Sequence, residues 1–179
     1  LRLKLIADIG LLGMPNAGKS TFLSCCSRAK PKIADYPFTT LHPNLGVVKA
    51  GDIDFLIADI PGLIEGAHEG KGLGTRFLGH VERSSALLHL VDAAQDNPVH
   101  SYKTIRRELE GYGGGLSNKS EIVALTKADA IDKDAIESIA CDFREKTGKD
   151  VMIISAISGH NMDDILFKLA NIVHSQKNT

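Results

Sequence analysis

The 179-residue sequence predicts an α/β domain with a mostly parallel central sheet and helices on both faces, and three observations carry that prediction. Short apolar runs alternate with amphipathic segments along the chain, the order expected when crossover helices join the strands of one sheet. Runs such as Leu87-Leu88-His89-Leu90-Val91 and Ile122-Val123-Ala124-Leu125 are nearly continuous in apolar residues, as strands buried on both faces are. Residues 13–20 read Gly-Met-Pro-Asn-Ala-Gly-Lys-Ser, the spacing G-x-x-x-x-G-K-[ST], directly after the apolar run Ile9 to Leu12.

The elements follow in order. The first apolar segment, Leu3–Leu12, is interrupted by Lys4 and Asp8 and is too short to span a bilayer. The loop after it is a phosphate cradle, the P-loop of nucleoside-triphosphate-binding proteins. Its glycines let successive backbone N–H groups point at phosphate oxygens, Lys19 brings a positive charge to the β and γ phosphates, and the Ser20 hydroxyl suits a Mg²⁺ ligand. Asn16 within it has two readings. Its amide stabilises the turn, or its carbonyl oxygen helps to hold a monovalent cation, K⁺, beside the phosphates. A helix is expected over Lys19–Arg28.

Pro31 to Pro43 lacks periodicity and contains Asp35-Tyr36-Pro37-Phe38-Thr39-Thr40. A hydroxyl there could complete a Mg²⁺ shell only while a γ-phosphate is present, ordering a mobile loop on nucleotide binding. Strands are expected over Gly46–Lys49 and Phe55–Asp59, a hairpin-like pair about Gly51-Asp52 that adds one antiparallel edge strand. Asp59-Ile60-Pro61-Gly62 follows, placing a carboxylate at the C-terminal end of a strand, where nucleotide crevices form. Asp59 there can hold Mg²⁺ through water, and the Gly62 N–H can reach a γ-phosphate. Pro61 to Gly74 is again without periodicity and holds five glycines after Pro61; long irregular stretches of this kind are functional or disordered.

A helix over Thr75–Arg83 has Phe77, Leu78 and Val81 at core spacing. Arg76, His80 and Arg83 on its other side are either a partner surface or a solvated face, and Lys30 and Lys32 are undecided in the same way. His68, Glu69 and Lys71 are read first as solvated loop residues and second as catalytic substitutes. Further strands are expected over Ala86–Asp92, Glu121–Thr126 and Asp150–Ser155, with helices over Val99–Tyr112, Lys133–Thr147 and Met162–His174. Gly111 to Ser117, with Gly113-Gly114-Gly115, reads as a flexible surface loop.

Two segments point to the base. In Thr126-Lys127-Ala128-Asp129, a carboxylate can accept from guanine's N1–H and exocyclic amine, whereas adenine leaves it desolvated and unpaired. The Lys127 stem would lie along the base, and small residues and backbone N–H groups of Ser155-Ala156-Ile157 would line it. An ATPase with an altered base pocket is the alternative that Thr126 raises.

Composition narrows the rest. A 43% hydrophobic, 24% charged chain is ordinary globular material, and a net charge of −1 predicts no bulk attraction to nucleic acid or membrane. Three cysteines, Cys25, Cys26 and Cys141, contain no C-x-x-C pair and fit a reducing cytosol. The expected state is a cytoplasmic monomer without a membrane span. Leu1 is not an initiator Met, so residues 1–179 are expected to be a single domain excised from a longer protein.

Taken together, GMPNAGKST, YPFTT, DIPGLIEGAHEGKGLGTRFLGHVER, TKAD and SAISG resemble the GTPase domain of the Obg family, most specifically over Leu63 to Arg83. The resemblance covers essentially the whole chain and lacks the family's glycine-rich N-terminal domain and variable C-terminal one. It implies a GTP and GDP switch acting in late assembly of the large ribosomal subunit, with links to ppGpp-dependent stress signalling. Gly13, Met14, Pro15, Asn16, Ala17, Gly18, Lys19 and Ser20, with Thr21, would hold the phosphates. Ser20 and Thr40 would ligate Mg²⁺ directly and Asp59 through water. Phe38, Thr39, Thr40, Leu41 and His42 would form the first switch, and Asp59, Ile60, Pro61 and Gly62 would open the second. Lys19, Thr40 and Gly62 would act on the transferring phosphoryl group. Thr126, Lys127, Ala128 and Asp129, with Ser155, Ala156 and Ile157, would hold the base.

Two departures alter the expectation. The family motif begins with Asn where this chain has Thr126, and the lost tie to the phosphate loop should cost on the order of 1 kcal/mol, weakening binding while Asp129 keeps guanine preference. Leu63 stands where Ras-type GTPases place a water-orienting Gln. Hydrolysis should therefore be slow, with K⁺ at Asn16 or a ribosomal partner supplying the missing charge; the alternative is a nucleotide-gated ribosome-binding module with negligible intrinsic turnover.

Overall fold

The computed structural model describes residues 7–35, 42–60, 78, 79 and 81–179. Among these, the strands are β1 (Ile9–Leu12), β2 (Lys32–Ile33), β3 (Asn44–Ala50), β4 (Ile53–Asp59), β5 (Ala86–Asp92), β6 (Glu121–Thr126) and β7 (Val151–Ile153). The helices of eight residues or more are α1 (Lys19–Cys26), α2 (Pro98–Tyr112), α3 (Lys133–Thr147) and α4 (Met162–Lys177). Strand order is β2-β3-β4-β1-β5-β6-β7. β4, β1, β5, β6 and β7 run parallel, and β3 and β2 join antiparallel at one side. This is the predicted α/β fold.

The period-two arithmetic of a strand assigns each face. Ala86, Leu88 and Leu90 of β5, with Ile122 and Ala124 of β6, belong to the core under α1 and α4, alongside Phe22, Leu23, Ile165 and Leu169. The intervening Leu87, Val91, Val123 and Leu125 face the other way, against Ile105 and Leu109 of α2 and Ile136, Ala140 and Phe143 of α3. Both faces of the inner strands are therefore dry, which is why those strands read as unbroken apolar runs. α1 lies close on β3 because position 46 lacks a side chain: a Cβ on Gly46 would stand 2.7 Å from Leu23 Cδ1 and would overlap Ser27 Oγ.

Most boundaries fall within two or three residues of expectation, and the differences have local causes. α1 stops at Cys26 rather than Arg28 because Ser27 is already extended (φ −74°, ψ 138°) and Arg28 N donates to Val47 O at 2.9 Å. α2 starts one residue early, with Pro98 in its first turn and Asn97 Oδ1 accepting from His100 N at 2.9 Å. The hairpin about Gly51-Asp52 forms, but β3 is not the edge, since the two-residue β2 pairs with its outer side. A two-residue strand has no period to detect. Residues 3–6 of the expected first strand lie outside the described residues, as do residues 36–41 and 61–74 of the two unassigned stretches and residues 75–77 and 80 of the expected helix that follows. In the expected helix Thr75–Arg83, Leu78, Gly79 and Val81 are described and helical, whereas Glu82 and Arg83 lie in a turn, so the helix ends before Arg83. Among the described residues no helix is long and apolar enough to cross a membrane.

Candidate functional site

The P-loop joins β1 to α1 at the C-terminal end of the parallel strands. Asn16 and Gly18 both adopt left-handed backbone conformations, with φ 66° and 96°. A Cβ on Gly13 would come within 2.7 Å of Leu90 O, so the loop can lie against β5 only because residue 13 is glycine. No side chain caps the start of α1, and its first turn carries no acidic residue. The exposed N–H groups and positive end of that helix are thus left for an anion.

Lys19 folds back over the loop, its Nζ donating to Gly13 O at 2.8 Å and to Met14 O at 3.3 Å. Burial lowers its pKa, with Asp59 acting in the opposite sense. Asp59 ends β4, and burial raises its pKa while Lys19 partly offsets the rise. Its Oδ1 is buried and has no hydrogen-bond partner among the described residues. Asn16, Lys19, Ser20, Thr21 and Asp59 line a cleft of about 370 Å³. The buried carboxylate oxygen without a partner and the Ser20 hydroxyl beside it are the hard oxygen donors a Mg²⁺ shell uses, so the residues present fit that ion.

A second cavity of about 190 Å³ adjoins the first, and both are lined by Gly18, Thr21 and Lys127. Its walls are mostly apolar, from Phe22, Ile154, Ala156 and Ile157, with Asp129 as the carboxylate on the lining. The chain leaves β6 through Lys127 in the left-handed region (φ 62°), which turns Ala128–Ala130 into a short 3₁₀ segment carrying Asp129. Ser155, fully buried, donates from Oγ to Asp129 Oδ1 at 2.6 Å and accepts from Ser158 N at 3.1 Å. One Asp129 oxygen is therefore fixed in place before any ligand arrives.

Thr126 corrects an expectation. Its hydroxyl donates to Ala17 O at 2.7 Å, with Val91 O a second acceptor at 3.3 Å. The tie between base segment and P-loop is present, made by a shorter side chain that needs only one donor.

The sites of other expected residues are mixed. Ile60 is 3% exposed and packs with Leu12, Val81 and Leu87, so its side chain belongs to the core. Met14, Pro15 and Ala17 lie over a small polar gap shared with His89 and Asp92. His42 is exposed, with Nδ1 3.6 Å from Asp35 Oδ1, and lines neither cavity. Phe38, Thr39, Thr40, Leu41, Pro61, Gly62 and Leu63 lie outside the described residues, with His68, Glu69, Lys71, Arg76 and His80. Burial pushes the Cys26 thiol up to about 12, so it is inert. Two contributions went unforeseen. One is Ser155 as a side-chain partner of Asp129. The other is Asp92, which ends β5 as Asp59 ends β4 and pairs with Lys127 at 2.6 Å; its position at the end of a buried strand was the available signal.

A family model described as 50S ribosome-binding GTPase matches residues 8–127. Among solved structures, the G domain of the T. maritima FeoB iron transporter superposes with a TM-score of 0.67 at 19% identity, covering 92% of this chain and 96% of that one. A GDP-bound S. thermophilus NFeoB mutant gives a TM-score of 0.69 at 22% identity, over 92% of this chain and 61% of that one. The cytosolic domain of T. maritima FeoB in a GDP form gives 0.66 at 18% identity, over 92% of this chain and 62% of that one. This chain thus spans about three fifths of those two longer proteins. At these identities the likeness shows the fold alone. The resemblance to the Obg family is corrected: the matching model is the broad ribosome-binding GTPase one, and these structural neighbours are FeoB G domains.

Proposed function

The chain belongs to the 50S ribosome-binding GTPase family and hydrolyses GTP, and from that premise we propose that it is a Mg²⁺-dependent guanine-nucleotide switch with a slow intrinsic rate. The observation that carries this reading is the pair of adjoining cavities that share Gly18, Thr21 and Lys127. One offers a lysine, a carboxylate and uncapped helix N–H groups to phosphates. The other is a largely apolar slot with an oriented carboxylate, a fit to guanine rather than adenine.

In this reading Gly13 to Thr21 cradle the phosphates and Lys19 neutralises charge that builds on the transferring phosphoryl group. Ser20, Thr40 and Asp59 would hold the Mg²⁺, which would supply positive charge to the phosphates when bound. Leu63 offers no hydrogen bond to an attacking water, so Gly62 N–H, Lys19 and an added positive charge carry the chemistry. K⁺ at Asn16 is that charge in the isolated protein. The partner read from the family's description is the large ribosomal subunit, met in a cytosolic setting by the GTP-bound form and released after hydrolysis.

Competition titration of GTP, GDP, ATP and ppGpp, with and without Mg²⁺, tests the site. GTP and GDP are expected to displace one another, with ATP weaker by orders of magnitude; equal competition by ATP removes the guanine reading. Co-sedimentation with 50S subunits in a non-hydrolysable GTP analogue against GDP tests the partner, and equal recovery in both states removes the switch.

A further inference from the structure

We propose that Asp92 is a positioning residue for nucleotide binding: it holds the Lys127 ammonium so that the lysine stem forms the wall between the base and phosphate cavities. The inference rests on reading those two cavities as one nucleotide site. Asp92 and Thr126 are register partners at the ends of β5 and β6. The Asp92 carboxylate is oriented twice over, with Oδ1 accepting from Ala94 N at 2.8 Å and Oδ2 lying 2.6 Å from Lys127 Nζ. Asp92 is the less accessible partner, its side chain 17% exposed against 37% for Lys127. The pair is thus partly withdrawn from water, and a charge-assisted hydrogen bond there is stronger than a surface ion pair.

Lys127 needs such an anchor. It sits in a left-handed backbone conformation (φ 62°, ψ 32°), it lines both cavities, and its four-carbon stem has many rotamers when the ammonium is free. Fixing the ammonium at the strand end lays the methylenes across the junction, where a planar base could pack on them. Asp129 supplies the discrimination between bases; Asp92 supplies the surface that any base-bearing ligand shares. The loss on removing Asp92 should therefore be common to different purines and should act only through Lys127.

The test is a double-mutant cycle on the full chain, read by GDP, inosine diphosphate and GTP. Asp92→Asn keeps the shape and an acceptor for Ala94 N while removing the charge. Lys127→Met keeps the stem while removing the ammonium. Asp92→Asn is expected to raise Kd about tenfold for GDP and inosine diphosphate alike, the scale of one lost charge-assisted hydrogen bond. Its single-turnover rate at saturating GTP should stay within about twofold, since Asp92 does not itself line the phosphate cleft. In the Lys127→Met background the same substitution should change Kd by less than about twofold. An unchanged Kd in Asp92→Asn, or an equal factor with and without the Lys127 ammonium, overturns the proposal. Failure of the unaltered protein to bind GDP would instead overturn the site reading.

Discussion

The Thr126 hydroxyl donates to Ala17 O at 2.7 Å across a sequence separation of 109 residues, joining the base segment to the phosphate loop. Both residues are buried, at 6% and 2% exposure, so neither group has water as a ready substitute. The two cavities are therefore coupled through a contact that does not involve the ligand. The Asn-to-Thr departure changes the means of that contact and keeps the contact itself.

Thr126→Val keeps the side-chain shape and removes the donor. It should destabilise the protein by about 1–3 kcal/mol, because two carbonyls lose their shared partner in a dry setting. It should also weaken GDP binding, as the loop is no longer held. Thr126→Ser, which retains the hydroxyl, should recover most of both. Urea denaturation and GDP titration check this; a Val variant as stable as the parent would show that the hydrogen bond contributes nothing net.

Asp59 and Lys19 are poised at a cost to the free protein. Burial raises the Asp59 pKa above 3.8, so the folded state binds more protons than the unfolded one between that value and the raised one. Stability contributed at this site is therefore lost as pH rises through that window. Asp59→Asn removes the penalty. The nucleotide-free variant should melt higher at neutral pH, by roughly 2–4 °C for each kcal/mol recovered, and this gain should shrink as pH falls toward 3.8. The same variant should lose the extra stabilisation that Mg²⁺ adds to GDP. Melting curves over a pH series decide it, and a gain that grows on acidification would reverse the sign.

Ser155 donates to Asp129 at 2.6 Å and holds the carboxylate that faces the base cavity. Ser155→Ala should raise the GDP Kd by roughly tenfold to a hundredfold, the range for a lost hydrogen bond to a charged group of about 1.5–3 kcal/mol. Binding of inosine diphosphate, which lacks the exocyclic amine, should fall less. Equal losses for the two nucleotides would mean that Ser155 supports the loop and not the recognition.

Much of this was legible in the sequence because it is periodic or locally spaced. β5 and β6 were readable as strands since their apolar runs are nearly continuous, broken in β5 only by His89, and α3 matches its expected bounds because its core spacing of Ile136, Ala140 and Phe143 is unambiguous. The P-loop and Asp129 were readable because their chemistry lies within a few consecutive residues. What was not legible depends on partners distant in the chain: Ser155 is 26 residues from Asp129, and Asp92 is 35 from Lys127. A two-residue strand such as β2 exists only because Leu45 and Asn44 are there to pair with it.

Gly113-Gly114-Gly115 shows the same limit. Read alone it is a flexible loop, yet a Cβ on Gly114 would overlap Glu82 Oε1, so the loop lies directly against Glu82. The charge and hydrogen bond of Glu82 also reach Tyr112, adding to the effect of burial in raising its pKa. Gly115, at φ 83°, has nothing within 4 Å of a built Cβ and serves as the backbone-only comparison. Gly115→Ala should cost about 1 kcal/mol from left-handed strain alone. Gly114→Ala should cost more, by displacing Glu82. Equal losses in thermal melting would leave the loop as backbone geometry and nothing else.

Asn16 has two roles to separate, and the structure supplies the means. Its φ of 66° is one that Asn tolerates better than most residues, which favours a turn role. It also lines the phosphate cleft beside Lys19 and Ser20, which favours a cation role. Asn16→Gly keeps the left-handed turn and deletes the side-chain oxygen. In the parent protein, single-turnover GTP hydrolysis should fall at least tenfold when K⁺ is replaced by Na⁺, since an added positive charge in this chemistry accelerates hydrolysis by about 10³–10⁵-fold in related systems. In Asn16→Gly the rate should be low in both salts, with GDP affinity little changed. A parent rate indifferent to the cation would leave Asn16 as a turn residue, and the missing charge would then have to come from a partner.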